Sequence, residues 1–116
     1  MINFRYETVG KDQDILDVVV SGSLDESNCN YLLDCMKEEV LEGRKKLILD
    51  CSHLTYISSM GLGVLARMHS RMKKTGGDVK LAGVHGTVAN LLNIVRFNTL
   101  FNLYPTVADA IAAHGG

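Results

Sequence analysis

What this sequence lacks narrows its reading first. None of its 116 residues belongs to an apolar run approaching the roughly 20 residues of a membrane span, so no membrane insertion is expected. An excess of one charge is missing too: 12 Lys plus Arg stand against 13 Asp plus Glu, which leaves no positive field to attract a polyphosphate backbone. Nucleic acid is therefore not an expected partner. The one local basic group, Arg67, Arg71, Lys73 and Lys74, falls along a single predicted helix and reads as a solvated face. Cysteine is scarce, and Cys29, Cys35 and Cys51 have neither an even count nor CxxC spacing, so they suggest neither a disulfide framework nor a zinc site. Proline occurs once, at Pro105. With no linker, repeat or low-complexity tract, residues 1–116 are expected to form a single domain.

What is present is ordinary for a folded domain: 47% hydrophobic and 22% charged residues, far from the composition of disorder. Met1 leads directly into alternating strand-like residues, and the reduced cysteines fit a reducing compartment, so the expected location is the cytoplasm. Residues Ile2 to Val9 alternate with Ile2, Phe4 and Tyr6 on one side, predicting a half-buried strand. Gly10 to Asp14 is a turn. Ile15 to Ser21, with Val18-Val19-Val20, completes a hairpin, and a turn follows at Gly22 and Leu24-Asp25.

From Glu26 to Leu41, the apolar residues Cys29, Leu32, Leu33, Met36 and Val40 recur every three or four positions, which puts them on one face of a helix ended by Gly43. Lys45 to Cys51 carries the nearly continuous Leu47-Ile48-Leu49 of a strand covered on both faces. After a short loop, a second helix over Gly61 to Lys74 places Gly61, Leu65, Met68 and Met72 on one face, and a strand over Asp78 to Val84 follows. Val88, Leu91, Leu92 and Val95 mark a third helix. Leu100 to Tyr104 reads as a last short strand, and Thr106 with Asp109 as a capping-box-like start of a terminal helix through Ala113. The expected fold is α/β: a mixed sheet, with an opening hairpin and then largely parallel strands, packed with about four helices.

The stretch Leu49-Asp50-Cys51-Ser52-His53-Leu54-Thr55-Tyr56-Ile57-Ser58-Ser59-Met60-Gly61-Leu62-Gly63 resembles the central motif of STAS domains, the sulfate-transporter and anti-sigma factor antagonist family. In that motif an apolar strand ends in Asp, a loop of the form L-x-x-I-D-S-[ST]-G follows, and a helix opens with G-L-G. The resemblance continues through the hairpin ending Gly22-Ser23-Leu24-Asp25, the strand Lys80 to Val84, and the ending Leu100-Phe101-Asn102-Leu103-Tyr104-Pro105-Thr106. It implies a regulatory binding protein that engages an anti-sigma factor serine kinase and performs no chemistry itself. The partner-binding residues it implies are Asp25, Tyr56, Ile57, Ser58, Ser59, Met60, Gly61, Leu62 and Gly63. In the family a serine or threonine before the first glycine of the helix receives phosphate. Aligned on Gly61-Leu62-Gly63, that position is Met60, which has no hydroxyl; Ser59 precedes it, and Ser58 stands where the family usually has Asp. Only a shifted register, with Ser59 or Ser58 as phosphoacceptor, can restore the switch.

Other readings of the same residues remain open here. Ser59 is also suited to act as an ordinary N-cap of the second helix. Gly61 and Gly63 suit tight packing of that helix on the sheet. The chain is alternatively a STAS subunit of a transporter or signalling assembly, needing no phosphoacceptor. A third reading is a small serine hydrolase assembled from Asp50, His53 or His85, and Ser58 or Ser59, although no G-x-S-x-G elbow is present. His53, His69, His85 and His114 offer no H-x3-H pair for a metal, and Gly61-Leu62-Gly63 is followed by Val64-Leu65 where a phosphate-cradling loop needs Lys and Ser or Thr. No cofactor is expected.

Overall fold

In the computed structural model, residues 3–41 and 43–115 are described, those at 3, 4 and 39–41 by their backbone alone. The chain runs β1 (Asn3–Val9), β2 (Ile15–Leu24), α1 (Cys29–Leu41), β3 (Lys46–Ile57), α2 (Ser59–Lys74), β4 (Asp78–Ala82), α3 (Gly86–Ile94), α4 (Phe97–Leu100), β5 (Asn102–Tyr104) and α5 (Val107–Ala113). The five strands form one sheet in chain order, β1-β2-β3-β4-β5. β1 and β2 are antiparallel, with Tyr6 opposite Val18; every later pairing is parallel. This is the mixed α/β architecture expected from the alternation of periods. The expected inward positions Ile2, Phe4 and Val40 lie outside the described side chains.

Alternation along the strands sends side chains to two faces, one covered by helices along its length and the other covered in part. On one, Leu16, Val18, Val20, Leu47, Leu49, Val79 and Leu81 meet Leu32, Leu33 and Met36 of α1, Val64, Leu65, Met68 and Met72 of α2, and Val88 and Leu92 of α3. On the other, Ile15, Ile48 and Ala82 pack against Ala110 of the short α5. The Thr106 hydroxyl caps α5 by accepting from Asp109 N at 3.1 Å, as expected from the sequence.

Several boundaries differ from expectation: β2 runs on to Leu24 through the expected turn at Gly22, α1 begins at Cys29 and not Glu26, α2 at Ser59 and not Gly61, and β4 ends at Ala82 and not Val84. Three further differences have a clear physical reason. β3 continues to Ile57 where a loop was expected after Cys51, because two register shifts against β2 insert extra residues into β3. Those bulges change the burial rhythm from two to three, with Cys51, Leu54 and Ile57 buried and the intervening pairs exposed, so the segment does not read as a strand. A fifth helical element, α4, occupies a single turn where the last strand was expected to begin. Phe97 and Phe101 pack at 5.9 Å between ring centroids, and the burial of Phe101 draws this turn onto the core. The predicted third helix stops at Ile94; Val95 is its C-cap, and Arg96 turns left-handed at φ 62°.

Candidate functional site

The ends of β2 and β3 deliver the chain to the start of α2, and three hydrogen bonds fix that junction. Ser58 N donates to the Leu24 carbonyl at 2.9 Å, and Leu62 N to the Ser58 carbonyl at 2.9 Å. The Ser58 hydroxyl accepts from Gly61 N at 3.1 Å. Ser58 is therefore the N-cap of α2, one position earlier than the expected Ser59. A cap oxygen reaches the amide three residues on, and that geometry selects Ser58 over its neighbour. Ser59 is the first helical residue and is exposed; Ser58 is 6% exposed.

At Gly61 this helix lies close against the ends of β2 and β3. A Cβ there would sit 2.8 Å from the Leu24 carbonyl oxygen and 2.8 Å from Ile57 Cγ1, so the expected packing role holds for it. It does not hold for Gly63, which is exposed and has nothing within 4 Å of where its Cβ would lie. A bare backbone here leaves a hollow of about 320 Å³ lined by Asn30, Ser59, Met60, Gly63, Val64 and Arg67. Met60, Gly63, Val64 and Arg67 follow one another at i, i+3, i+4 and i+7 and so share a face of α2.

The expected binding residues separate into two sets. Tyr56 and Met60 are 49% and 45% exposed, and Ser59 and Gly63 are exposed beside them. Ile57, Ser58 and Gly61 are buried, which corrects their assignment as contact residues: they are the floor on which the exposed set stands. Leu62 is partly buried against the core. Asp25 organises the neighbouring turn. Its carboxylate accepts from Ser27 Oγ at 2.6 Å and Ser27 N at 3.0 Å, and from Ser23 Oγ at 3.3 Å. These bonds, with Ser27 foremost, hold its carboxyl below the ordinary value.

Three of the residues considered for an Asp-His-Ser constellation have other partners, while His53 and Ser59 are exposed. His85 Nε2 donates to the Ser52 carbonyl at 2.8 Å, Asp50 accepts from the Ser52 amide and hydroxyl at 3.0 and 2.7 Å, and the Ser58 hydroxyl is spent on its cap. The three cysteines are free, with Cys29 and Cys51 buried, and burial pushes the Cys51 thiol up to about 12. Among the described residues, no group of His, Cys, Asp and Glu is arranged to hold a metal, and no helix is long and apolar enough to cross a membrane.

Sequence reasoning missed Asn30 and Arg67 as site residues. The helical spacing from Met60 to Arg67 was a readable signal for the second; nothing in the sequence places Asn30 of α1 across from it.

A chain-ordered mixed sheet whose third strand presents a capped helix start defines a class. The model of the STAS domain matches residues 6–110, and the chain belongs to that family. Among relatives, a Bordetella bronchiseptica protein named as an anti-sigma factor antagonist, BtrV, is 26% identical over 106 residues, covering 91% of each chain. The crystal structure of a Thermotoga maritima protein described as an anti-sigma factor antagonist superposes with a TM-score of 0.88 at 22% identity, covering 95% of this chain and 92% of that one. The antagonist SpoIIAA of Bacillus, solved in unphosphorylated and phosphorylated forms, has the same fold, with a TM-score of 0.76 at 16% identity. The unphosphorylated structure aligns with 98% of this chain and 99% of its own.

Proposed function

We propose that this chain is an anti-sigma factor antagonist. It binds an anti-sigma factor serine kinase through the exposed start of α2, acts in the cytoplasm and catalyses no reaction of its own. The observation that carries this reading is the division of residues 56–63 into a buried floor and an exposed upper set centred on Met60. A surface fixed in this way is pre-organised, so a partner need not pay to order it. The names of its relatives support the same reading.

Aligned on Gly61-Leu62-Gly63, the position that the family resemblance marks as phosphoacceptor falls on Met60, and the hydroxyl of Ser58 is buried as a cap. A phosphate near a helix start need not disturb the fold, since free amides and the dipole accept an anion there. Its effect would fall on the interface, where about -1.5 to -2 charges must be desolvated. The hydroxyl of the exposed Ser59 remains beside the helix start; we read the switch as lost, so that ATP-dependent phosphorylation does not release this binder. Incubation with the cognate kinase and ATP, followed by intact-mass measurement, is expected to show no added phosphate and an undiminished complex. A gain of one phosphate that disappears in Ser59→Ala would replace this reading with a switch displaced by one residue.

The missing hydroxyl at position 60 also suits a second assignment, a subunit of a transporter or signalling assembly. Co-purification with a permease or transport ATPase, and no binding to anti-sigma factor kinases, would favour it.

A further inference from the structure

Methionine distribution in this domain is uneven in a way the docking reading leaves unused. Met36, Met68 and Met72 are buried at 3%, 1% and 1% exposure, whereas Met60 is 45% exposed. Met60 lies beside the bare backbone of Gly63, on the rim of the hollow shared with Ser59 and Arg67. Oxidants reach thioethers according to their exposure, so burial protects three of these sulfurs and leaves the fourth open.

We propose that Met60 is a modification site: hydroperoxides oxidise it selectively to the sulfoxide, and the modified side chain weakens docking at the start of α2. The second half of the proposal rests on the function proposed above. In the step, the thioether sulfur attacks the distal peroxide oxygen, the O–O bond breaks, and the peroxide leaves as alcohol or water. Sulfur loses two electrons and gains one oxygen, with no other reactant. The product replaces an adaptable apolar contact with a strong hydrogen-bond acceptor. Where a partner covers that group with apolar surface and neither Ser59 nor Arg67 reaches its oxygen, the desolvation cost corresponds to a loss of roughly tenfold to a hundredfold in affinity. Because sulfoxides are reduced enzymatically, the change is reversible.

The test has two readouts on the intact chain. After brief hydrogen peroxide treatment, peptide mass mapping is expected to find one added oxygen at Met60 while Met36, Met68 and Met72 stay unmodified. Oxidation of those three at the same rate would overturn the selectivity. Titration against the anti-sigma factor kinase is then expected to show the affinity loss, its recovery after methionine sulfoxide reductase, and, in a Met60→Leu variant, an affinity that peroxide does not change whatever its starting value. Equal affinity of the reduced and oxidised protein would overturn the switch. If the reduced protein does not bind the kinase at all, the docking reading fails and the switch with it, while the mass map still decides whether Met60 is the modified residue.

Discussion

The two halves of β3 are built to different rules. From Lys46 to Asp50 it is in unbroken parallel register with both neighbours, and Leu47, Ile48 and Leu49 are at most 1% exposed. From Cys51 to Ile57 it keeps only β2 as a partner, twice falls out of register, and exposes Ser52, His53, Thr55 and Tyr56. A central strand flanked by helices gains most from regularity, because every side chain finds a packed environment. A strand that must also turn a helix start toward solvent gives up that regularity through bulges, which re-aim side chains. On the proposed docking reading, stability and recognition are thus divided along one strand.

That division can be broken or sharpened by experiment, beginning with the largest effect. Leu49→Ala in the regular half is expected to cost about 2–5 kcal/mol by removing buried methyl groups, while Tyr56→Ala in the bulged half stays within about 0.5 kcal/mol. Urea unfolding of the two variants measures the contrast, and equal costs would dissolve it.

Beside the regular half, β2 carries a polar flaw. Asp17, in register with Ile48, is 6% exposed, and one of its carboxylate oxygens has no hydrogen-bond partner. Burial, with Asp50 and Glu7 nearby, pushes its carboxyl up from 3.8 to about 6. The folded chain therefore holds this proton more tightly than the unfolded one. The penalty is absent below about pH 4, grows as pH rises through 6, and amounts to about 3 kcal/mol at 1.36 kcal/mol per pKa unit. Unfolding free energies between pH 4.5 and 7 should fall for the natural sequence relative to Asp17→Asn. The difference between the two is the readout, because burial lowers the pKa of His114 and so tilts stability the other way near pH 6.5. A constant difference would show that Asp17 ionises without cost.

At the junction, Gly61→Ala is expected to destabilise the fold by about 1–3 kcal/mol, since the added carbon overlaps the Leu24 carbonyl and Ile57. Gly63→Ala should do the reverse, raising stability by about 0.5–1 kcal/mol through helix propensity while filling part of the hollow and weakening partner binding. Calorimetric unfolding and titration with the proposed kinase partner separate the two quantities. A Gly63→Ala variant that binds as tightly as the natural chain would remove Gly63 from the docking face.

The sequence made the helix stripes legible because Leu65, Met68 and Met72 recur at a period that only one face of α2 can satisfy, and all three are buried. The hairpin and the Thr106 cap were legible for similarly local reasons. What escaped was set by contacts between distant segments. The bulges of β3 follow from its pairing with β2, the turn of α4 follows from where Phe101 finds the core, and the choice of Ser58 over Ser59 follows from the bond between Ser58 N and Leu24. Motif alignment marked residues 56–63 as one site, but only burial divides them into floor and surface.

The order β1-β2-β3-β4-β5 has a consequence for how the molecule comes into being on the ribosome. Each newly synthesised strand is added beside the one made just before it, so the nascent sheet always grows at a single edge and never has to open to admit a later segment. The platform that carries Met60 rests on β2 and β3, and it can be assembled before the last third of the chain has left the exit tunnel.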